Sequence, residues 1–365
     1  MNDSLKYKIR WGMKYFLKDN IVLPYRMHTH NKFIPMENSA KLTSDEIRCL
    51  KQFWGKDYNQ GKKRCYEFYK GTCGVFDEKF IPNDYYFLVE CIANKSWSST
   101  FLQHKCCLKY FISEQYRPTT ILQGINGYLL DNNDNYLTPN DAIELLCGYE
   151  SFVYKPSLNT GGGDGVKKIN LNETNKKNTQ FWKELFSKKD FIIQEIIKQS
   201  DEMSSYNPDS VNTIRMLTLN LNNHQTLLSS FIRMGQKGSF TDNVSGNGCL
   251  VGINHEGILY PYGLTENYEK ILQSPNGYKF ERKKFIHYDA IKSTVLKLHT
   301  NFPSAALIAW DIALNEANAP IVIEINLGMG RVSTHQILNG PVFGERTLEV
   351  MDYIRANIKN YHIGI

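Results

Sequence analysis

The chain has 365 residues, and its 43 Lys and Arg against 37 Asp and Glu give a mild net charge of +6. A hydrophobic fraction of 42% and a charged fraction of 22%, with 25 Gly and 12 Pro, exclude a disordered, collagenous or low-complexity chain. The length predicts two or three domains, and the charge permits an anionic substrate.

The opening stretch, Met1 to Asn20, lacks the apolar core and cleavage site of a signal peptide, and nowhere do 18 apolar residues run together. A cytoplasmic protein without a membrane span is expected, its first basic helix lying on the protein surface rather than on a membrane. Residues 1–103 read as mainly helical. Thr43-Ser-Asp-Glu46 is a capping box, and helices are predicted near Lys63–Lys70 and, after Pro82, at Asp84–Asn94. The short, separated basic runs Lys62-Lys63-Arg64 and Lys167-Lys168 give no reason to expect nucleic acid as a partner. The cysteines (49, 65, 73, 91, 106, 107, 147 and 249) lack the paired spacing of a zinc site and read as reduced, mostly buried thiols.

From about residue 101 a helix is predicted over Phe101–Phe111, an extended stretch over Thr119–Leu130, and a helix opened by Thr138-Pro139. Strands follow at Phe152–Pro156, Val166–Leu171, Phe191–Ile197, Val211–Leu221, Gln225–Met234, Ala306–Leu314 and Pro320–Leu327. This mixture predicts an α+β fold with many antiparallel hairpins.

Four constellations carry chemistry. Lys155 ends a strand before Gly161, Gly162, Gly163 and Gly165, a run that reads either as a phosphate flap, since glycines let backbone N–H groups converge on phosphate oxygens, or as a flexible surface hairpin. Phe191–Ile197 followed by Glu202 offers a buried strand, then backbone groups for a purine edge and a carboxylate for ribose; taken alone the pattern favours a plain core strand followed by a loop. Lys105, Arg215 and Arg233 are candidate clamps for phosphate or carboxylate. A two-residue Asn222-Asn223 loop would put Arg215 and Arg233 on opposite faces, so both serve one site only if the loop is odd in length or a bulge intervenes.

The fourth constellation rests on register. Pairing Leu314 with Ile321 puts Asp311 opposite Glu324, with Asn326 on the same face as both and the other face apolar. Like charges directly opposed on paired strands are destabilising, so Asp311, Glu324 and Asn326 predict a hard cation, Mg²⁺, with Mn²⁺ as a substitute, the alternative being that Asp311 and Glu324 merely lie on a solvated face.

Taken in order, Lys105, Lys155, the glycine run, Gln194-Glu195, Glu202, Asp311 and Glu324-Ile-Asn326 resemble the ATP-grasp superfamily over about residues 104 to 335. Phe80-Ile-Pro-Asn-Asp-Tyr85 with Pro118-Thr-Thr-Ile121, and Ser210-Val-Asn-Thr-Ile-Arg215 with Asp242-Asn243, are similar to its sugar-transfer-associated, TupA-like group, found with surface-polysaccharide genes. The resemblance implies two α+β subdomains gripping ATP in an ATP-grasp domain over 104–365, with the glycine loop and hinge in 151–205 and the metal site in 206–365. It also implies that Lys105 and Lys155 hold ATP phosphates, Gln194, Glu195, Ile196 and Ile197 form the adenine hinge, and Glu202 holds ribose. Asp311, Glu324 and Asn326 would then hold Mg²⁺ between the β- and γ-phosphates. Several members carry Arg two residues before the first metal Asp. Here that position is Ala309, so Arg233 or Arg215 must supply the charge, Arg233 being the preferred choice.

The activity implied is a carboxylate–amine ligase acting through an acyl-phosphate, joining an amino acid or amine to a sugar acid in capsule or O-antigen biosynthesis. A kinase using the same nucleotide site and a non-catalytic nucleotide-binding interaction protein stand as alternatives. The oligomeric state is left open.

Overall fold

A computed structural model describes residues 38–94, 96–158, 163–244, 247–328 and 330–358. The expected first helix, Gly161 and Gly162 lie outside the described residues. Those described form two compact units, one from within 1–97 and 330–365, the other from 98–329. No helix among them is long and apolar enough to cross a membrane. None of the eight cysteines, all among the described residues, is in a disulfide; Cys65, Cys106, Cys107 and Cys249 are buried and the other four half-buried.

The first unit is helical: Ser44–Trp54, Gln60–Cys73, Asn83–Ala93, Val332–Asn339 and Thr347–Asn357. The expected capping box is present, with the Glu46 N–H donating to Thr43 Oγ1 at 3.2 Å and the Thr43 N–H donating to Glu46 Oε2 at 2.6 Å. Pro82 sits at the cap of Asn83–Ala93, where its missing N–H costs nothing. The C-terminal helices group here rather than with the sheets, because Gln336 clamps the Ile81 backbone. Its Oε1 accepts from the Ile81 N–H at 2.8 Å and its Nε2 donates to Ile81 O at 2.9 Å.

Two antiparallel sheets make the second unit. The first joins β1 (Thr120–Ile125), β2 (Tyr128–Asp131), β3 (Tyr136–Leu137), β4 (Ser151–Pro156), β5 (Lys167–Asn170) and β6 (Phe191–Gln194) in the order β3-β2-β1-β6-β4-β5. The second joins β7 (Thr213–Leu221), β8 (His224–Met234), β9 (Cys249–Ile253), β10 (Leu259–Leu264), β11 (Lys270–Ile271), β12 (Leu307–Leu314) and β13 (Pro320–Asn326) in the order β11-β10-β9-β8-β7-β12-β13. One face of the second sheet, carrying Ile214, Met216, Ile232, Trp310 and Ile312, shares a core with Ile291, Val295 and Leu298 of the helix Tyr288–His299.

Several elements differ from expectation. Phe101–Phe111 is not one helix: Ser96–Gln103 ends at His104, whose ring nitrogen accepts from the Cys106 N–H at 3.3 Å and starts a separate 3₁₀ turn over Lys105–Tyr110. The stretch Thr119–Leu130 folds back at Asn126-Gly127, both at positive φ, into the β1–β2 hairpin. The strand expected to reach Ile197 stops at Gln194. The strands β9 to β11 and the helix Tyr288–His299 had no counterpart in the sequence reading.

The registers decide what each face carries. In β12–β13, Leu314 stands opposite Pro320 rather than Ile321, yet Asp311 still faces Glu324. A bulge between Asp311 and Ile312 absorbs the offset, with Ile323 the extra residue. It moves Val322 to the core face across from Ile312 and sets Ile321 across from Ala313. In β7–β8 the turn is the two-residue Asn222-Asn223, φ 54 and 60. A bulge at Leu217/Thr218 then puts Arg233 opposite Thr213 and Arg215 opposite Phe231. The condition for both arginines to share a face is met by that bulge.

Candidate active site

Three neighbouring strands carry one row of charge: Arg215 on β7 faces Asp311 on β12, which faces Glu324 on β13. Arg215 grips Asp311 with two nitrogens, Nε on Oδ1 and Nη2 on Oδ2 at 2.9 Å. Arg233, one strand further out, donates from Nη1 to Asp311 Oδ2 at 2.9 Å and places Nη2 3.3 Å from Asp242 Oδ1. Asp311 is 2% exposed. Burial opposes its charge, but Arg215 and Arg233 outweigh that and hold its pKa below the ordinary carboxylate value. For Arg233 burial likewise works against the charge, and Asp242, Asp311 and Glu324 together raise its pKa.

The other sheet and the 3₁₀ turn Lys105–Tyr110 each supply an amine. Lys155, buried on β4, donates to Gln194 Oε1 at 2.9 Å. Burial and then Lys105 push its pKa down to about 8, against the pull of Glu324 and Asp242. Lys105 places its Nζ 3.1 Å from Glu324 Oε2, and its backbone N–H donates to Ser157 O at 3.3 Å, just beyond β4. Lys105, Lys155, Arg215 and Arg233 therefore converge with Asp311, Glu324 and Asp242.

A model of the family described as sugar-transfer associated ATP-grasp matches residues 139–352. The chain belongs to that family. No curated protein matches the sequence. Among solved structures, the ATP-grasp ligase PsnB complexed with minimal precursor is 10% identical, with 72% of this chain and 64% of that one covered and a TM-score of 0.40. D-alanyl-alanine synthetase A from Vibrio cholerae is 12% identical, covering 71% and 65%, TM-score 0.42. The VanG D-Ala:D-Ser ligase from Enterococcus faecalis is 12% identical, covering 73% and 64%, TM-score 0.44. Each match spans less than two thirds of the other protein's own length.

For an ATP-grasp chain the donor set matters. Among the described residues no three His, Cys, Asp or Glu side chains form a metal-holding group. The set here is two carboxylates and an amide. Asp311 and Glu324 are opposed, and Asn326, two residues after Glu324 on the same face, adds an amide oxygen. Such a set fits Mg²⁺, which takes one or two carboxylates and completes its octahedron with water and substrate phosphates.

The remaining site residues divide. Gly163 and Gly165 both have positive φ, 78 and 73, and a Cβ on Gly165 would come 2.7 Å from Pro156 Cγ, so the described end of the run requires glycine there. The Glu195 N–H donates to Thr119 O at 3.0 Å, after which Ile196 and Ile197 leave the ladder as irregular backbone. Glu202 lies in the helix Asp201–Tyr206, where Lys283, His287 and Tyr206 are the groups that act on its carboxyl, and the structure does not bring it to the Asp311 cluster among the described residues. Sequence reasoning missed Asp242 as part of this cluster: it sits in an irregular loop after β8, where no periodicity points to a partner.

Proposed function

We propose that this ATP-grasp chain is an ATP- and Mg²⁺-dependent carboxylate–amine ligase, attaching an amino acid or amine to a sugar acid in surface-polysaccharide biosynthesis. The observation that carries the reading is the convergence of four cations on the opposed Asp311–Glu324 pair. A carboxylate oxygen of the substrate attacks the γ-phosphorus of ATP and ADP leaves. The amine then attacks the acyl carbon, phosphate departs with that oxygen, and the amine's proton is released. Asp311, Glu324 and Asn326 would hold Mg²⁺, which supplies charge neutralisation at the phosphates.

Lys105 and Lys155 bind the phosphate oxygens, with Gln194 keeping the Lys155 ammonium aimed. Gln194 to Ile197 present backbone to the adenine edge, and Glu202 reaches the ribose. Arg233 meets the developing oxyanion. Arg215 already commits two nitrogens to Asp311, whereas Arg233 commits one and is the more exposed of the two, 14% against 8% for the side chains. No protein nucleophile is needed, so catalysis rests on positioning and charge. ATP as substrate agrees with the cytoplasmic placement proposed from sequence.

The test is isotopic. Oxygen-18 in the substrate carboxylate should appear in released phosphate; a kinase leaves released phosphate absent and a phosphoryl group on a hydroxyl. A panel of amines and amino acids against sugar acids, followed by ADP release and product mass, identifies the pair, and no substrate-dependent ADP release across it overturns the enzyme reading.

A further inference from the structure

Asp311 is heavily committed. Its Oδ1 accepts from Arg215 Nε, and its Oδ2 accepts from both Arg215 Nη2 and Arg233 Nη1, which fills three of the roughly four lone-pair sites of a carboxylate. A cation that takes Oδ2, or both oxygens together, displaces one of these donors, and a buried guanidinium released without another anion is expensive. Arg215 faces Asp311 directly from the next strand, holds it with two nitrogens and feels Asp242 only through its charge. Arg233 has a second carboxylate in reach. Its Nη2 lies 3.3 Å from Asp242 Oδ1, and the other oxygen of Asp242 is fixed by the hydroxyl of Thr213, the residue paired with Arg233 across β7–β8.

We propose that Asp242 is a positioning residue that draws Arg233 away from Asp311 when a divalent cation occupies the site, freeing a ligand oxygen while keeping the guanidinium in the cleft. This rests on the ligase reading only insofar as that reading places a metal–nucleotide complex at Asp311. The groups around Asp242 are those of one device. Thr213 anchors it, Arg233 is its cargo, and Arg215, Asp311 and Lys155 are the further charges that feel it. Without Asp242, Arg233 has only Asp311 and Glu324 to neutralise it, and it competes with the metal for the same oxygens.

The experiment measures ADP affinity calorimetrically with and without Mn²⁺, the ratio being the metal's contribution. Asp242→Asn should reduce that ratio roughly tenfold, a coupling typical of residues sharing one charged network. In an Arg233→Met background the same change should reduce it less than about twofold, because the competitor is gone. Asp242→Glu should recover part of the loss. Equal losses in both backgrounds would mean that Asp242 acts on the metal by charge alone and would overturn the proposal, as would no loss in either. Should Asp242→Asn fail to fold, Thr213→Val, which removes only the anchoring hydroxyl, is read in the same two backgrounds against the same criterion. A wild-type protein whose ADP affinity ignores Mn²⁺ would instead sink the metal–nucleotide reading itself.

Discussion

Lys155 gives the ligase reading a quantitative handle. Burial and the neighbouring Lys105 hold its pKa at about 8. Phosphate oxygens arriving beside it restore a preference for the ammonium form, so nucleotide binding takes up a proton wherever free Lys155 is partly neutral. With a bound pKa near the ordinary value of about 10.4, uptake at pH 8.5 should be roughly three quarters of a proton. Linkage fixes the sign. Affinity is flat below pH 8, where both states are protonated, and falls above it as the free lysine loses its proton, by roughly thirtyfold between pH 7 and 9.5. Calorimetry in buffers of different ionisation enthalpy reads the uptake directly, and repeating it across pH reads the slope. Lys155→Met should bind more weakly at pH 7 and show neither effect. A Lys155→Met protein with an undiminished slope, or a wild type with no uptake at pH 8.5, would refute the role of Lys155 at the phosphates.

Arg233→Met should lower turnover by roughly 10² to 10³, the usual loss of one oxyanion partner, with Arg215→Met acting mainly on stability; unaltered turnover in Arg233→Met, measured by ADP release, would sink that assignment. Asp311→Asn leaves Arg215 and Arg233 short of a buried counter-charge and should cost about 3–5 kcal/mol in urea unfolding, with partial recovery when Arg215→Met is added. His299 is buried between Thr218 and Ala305, and burial lowers its pKa to about 4. The unfolded chain therefore binds the extra proton first, and stability should fall by about 2 kcal/mol from this group alone between pH 7 and 5. Urea unfolding of His299→Gln at the two pH values should show that much less acid sensitivity.

The parts of the molecule legible in sequence are those encoded by neighbours in the chain. Thr43 with Glu46, and Thr138 with Asp141, announce helix starts because both partners of each cap lie within one turn. The opposition of Asp311 and Glu324 is legible only because two offsets cancel: the turn pairs Leu314 with Pro320 rather than Ile321, and the bulge at Asp311/Ile312 restores the register. Asp242 carries part of the family resemblance, but its place in the ion cluster is not legible, because its partners Arg233 and Thr213 reach it only through the folding of an irregular loop after β8. The grouping of 330–358 with the N-terminal helices was equally hidden. It rests on contacts such as Gln336 with Ile81 and the Gly330 N–H with Glu90, each spanning most of the chain. The Phe101–Phe111 helix failed for a subtler reason: its composition suits a helix, but the side chain of His104 satisfies the Cys106 N–H and so interrupts it.

Two bulges create the charged face, and both leave a trace in the apolar pattern. On β8 the core takes Leu227 and then Ile232 and Met234; on β13 it takes Val322 and then Ile325 and Leu327. In each strand the spacing across the bulge is odd, whereas an unbroken strand returns to the same face only at even spacings. The chain conceals this change of phase by carrying apolar residues in both phases at the crossing, Leu227-Leu228 on β8 and Ile321-Val322-Ile323 on β13. Either register therefore satisfies the hydrophobic pattern, and the choice falls to the polar residues. Without the β8 bulge the turn at Asn222-Asn223 would send Arg233 into the face that holds Ile214 and Trp310, burying a guanidinium among apolar groups. With it, Arg233 reaches Asp311 and Asp242. Avoiding the several kcal/mol of an unpaired buried charge outweighs the ladder disruption of one extra residue, so the ion cluster selects the bulged register as much as the bulged register presents the cluster.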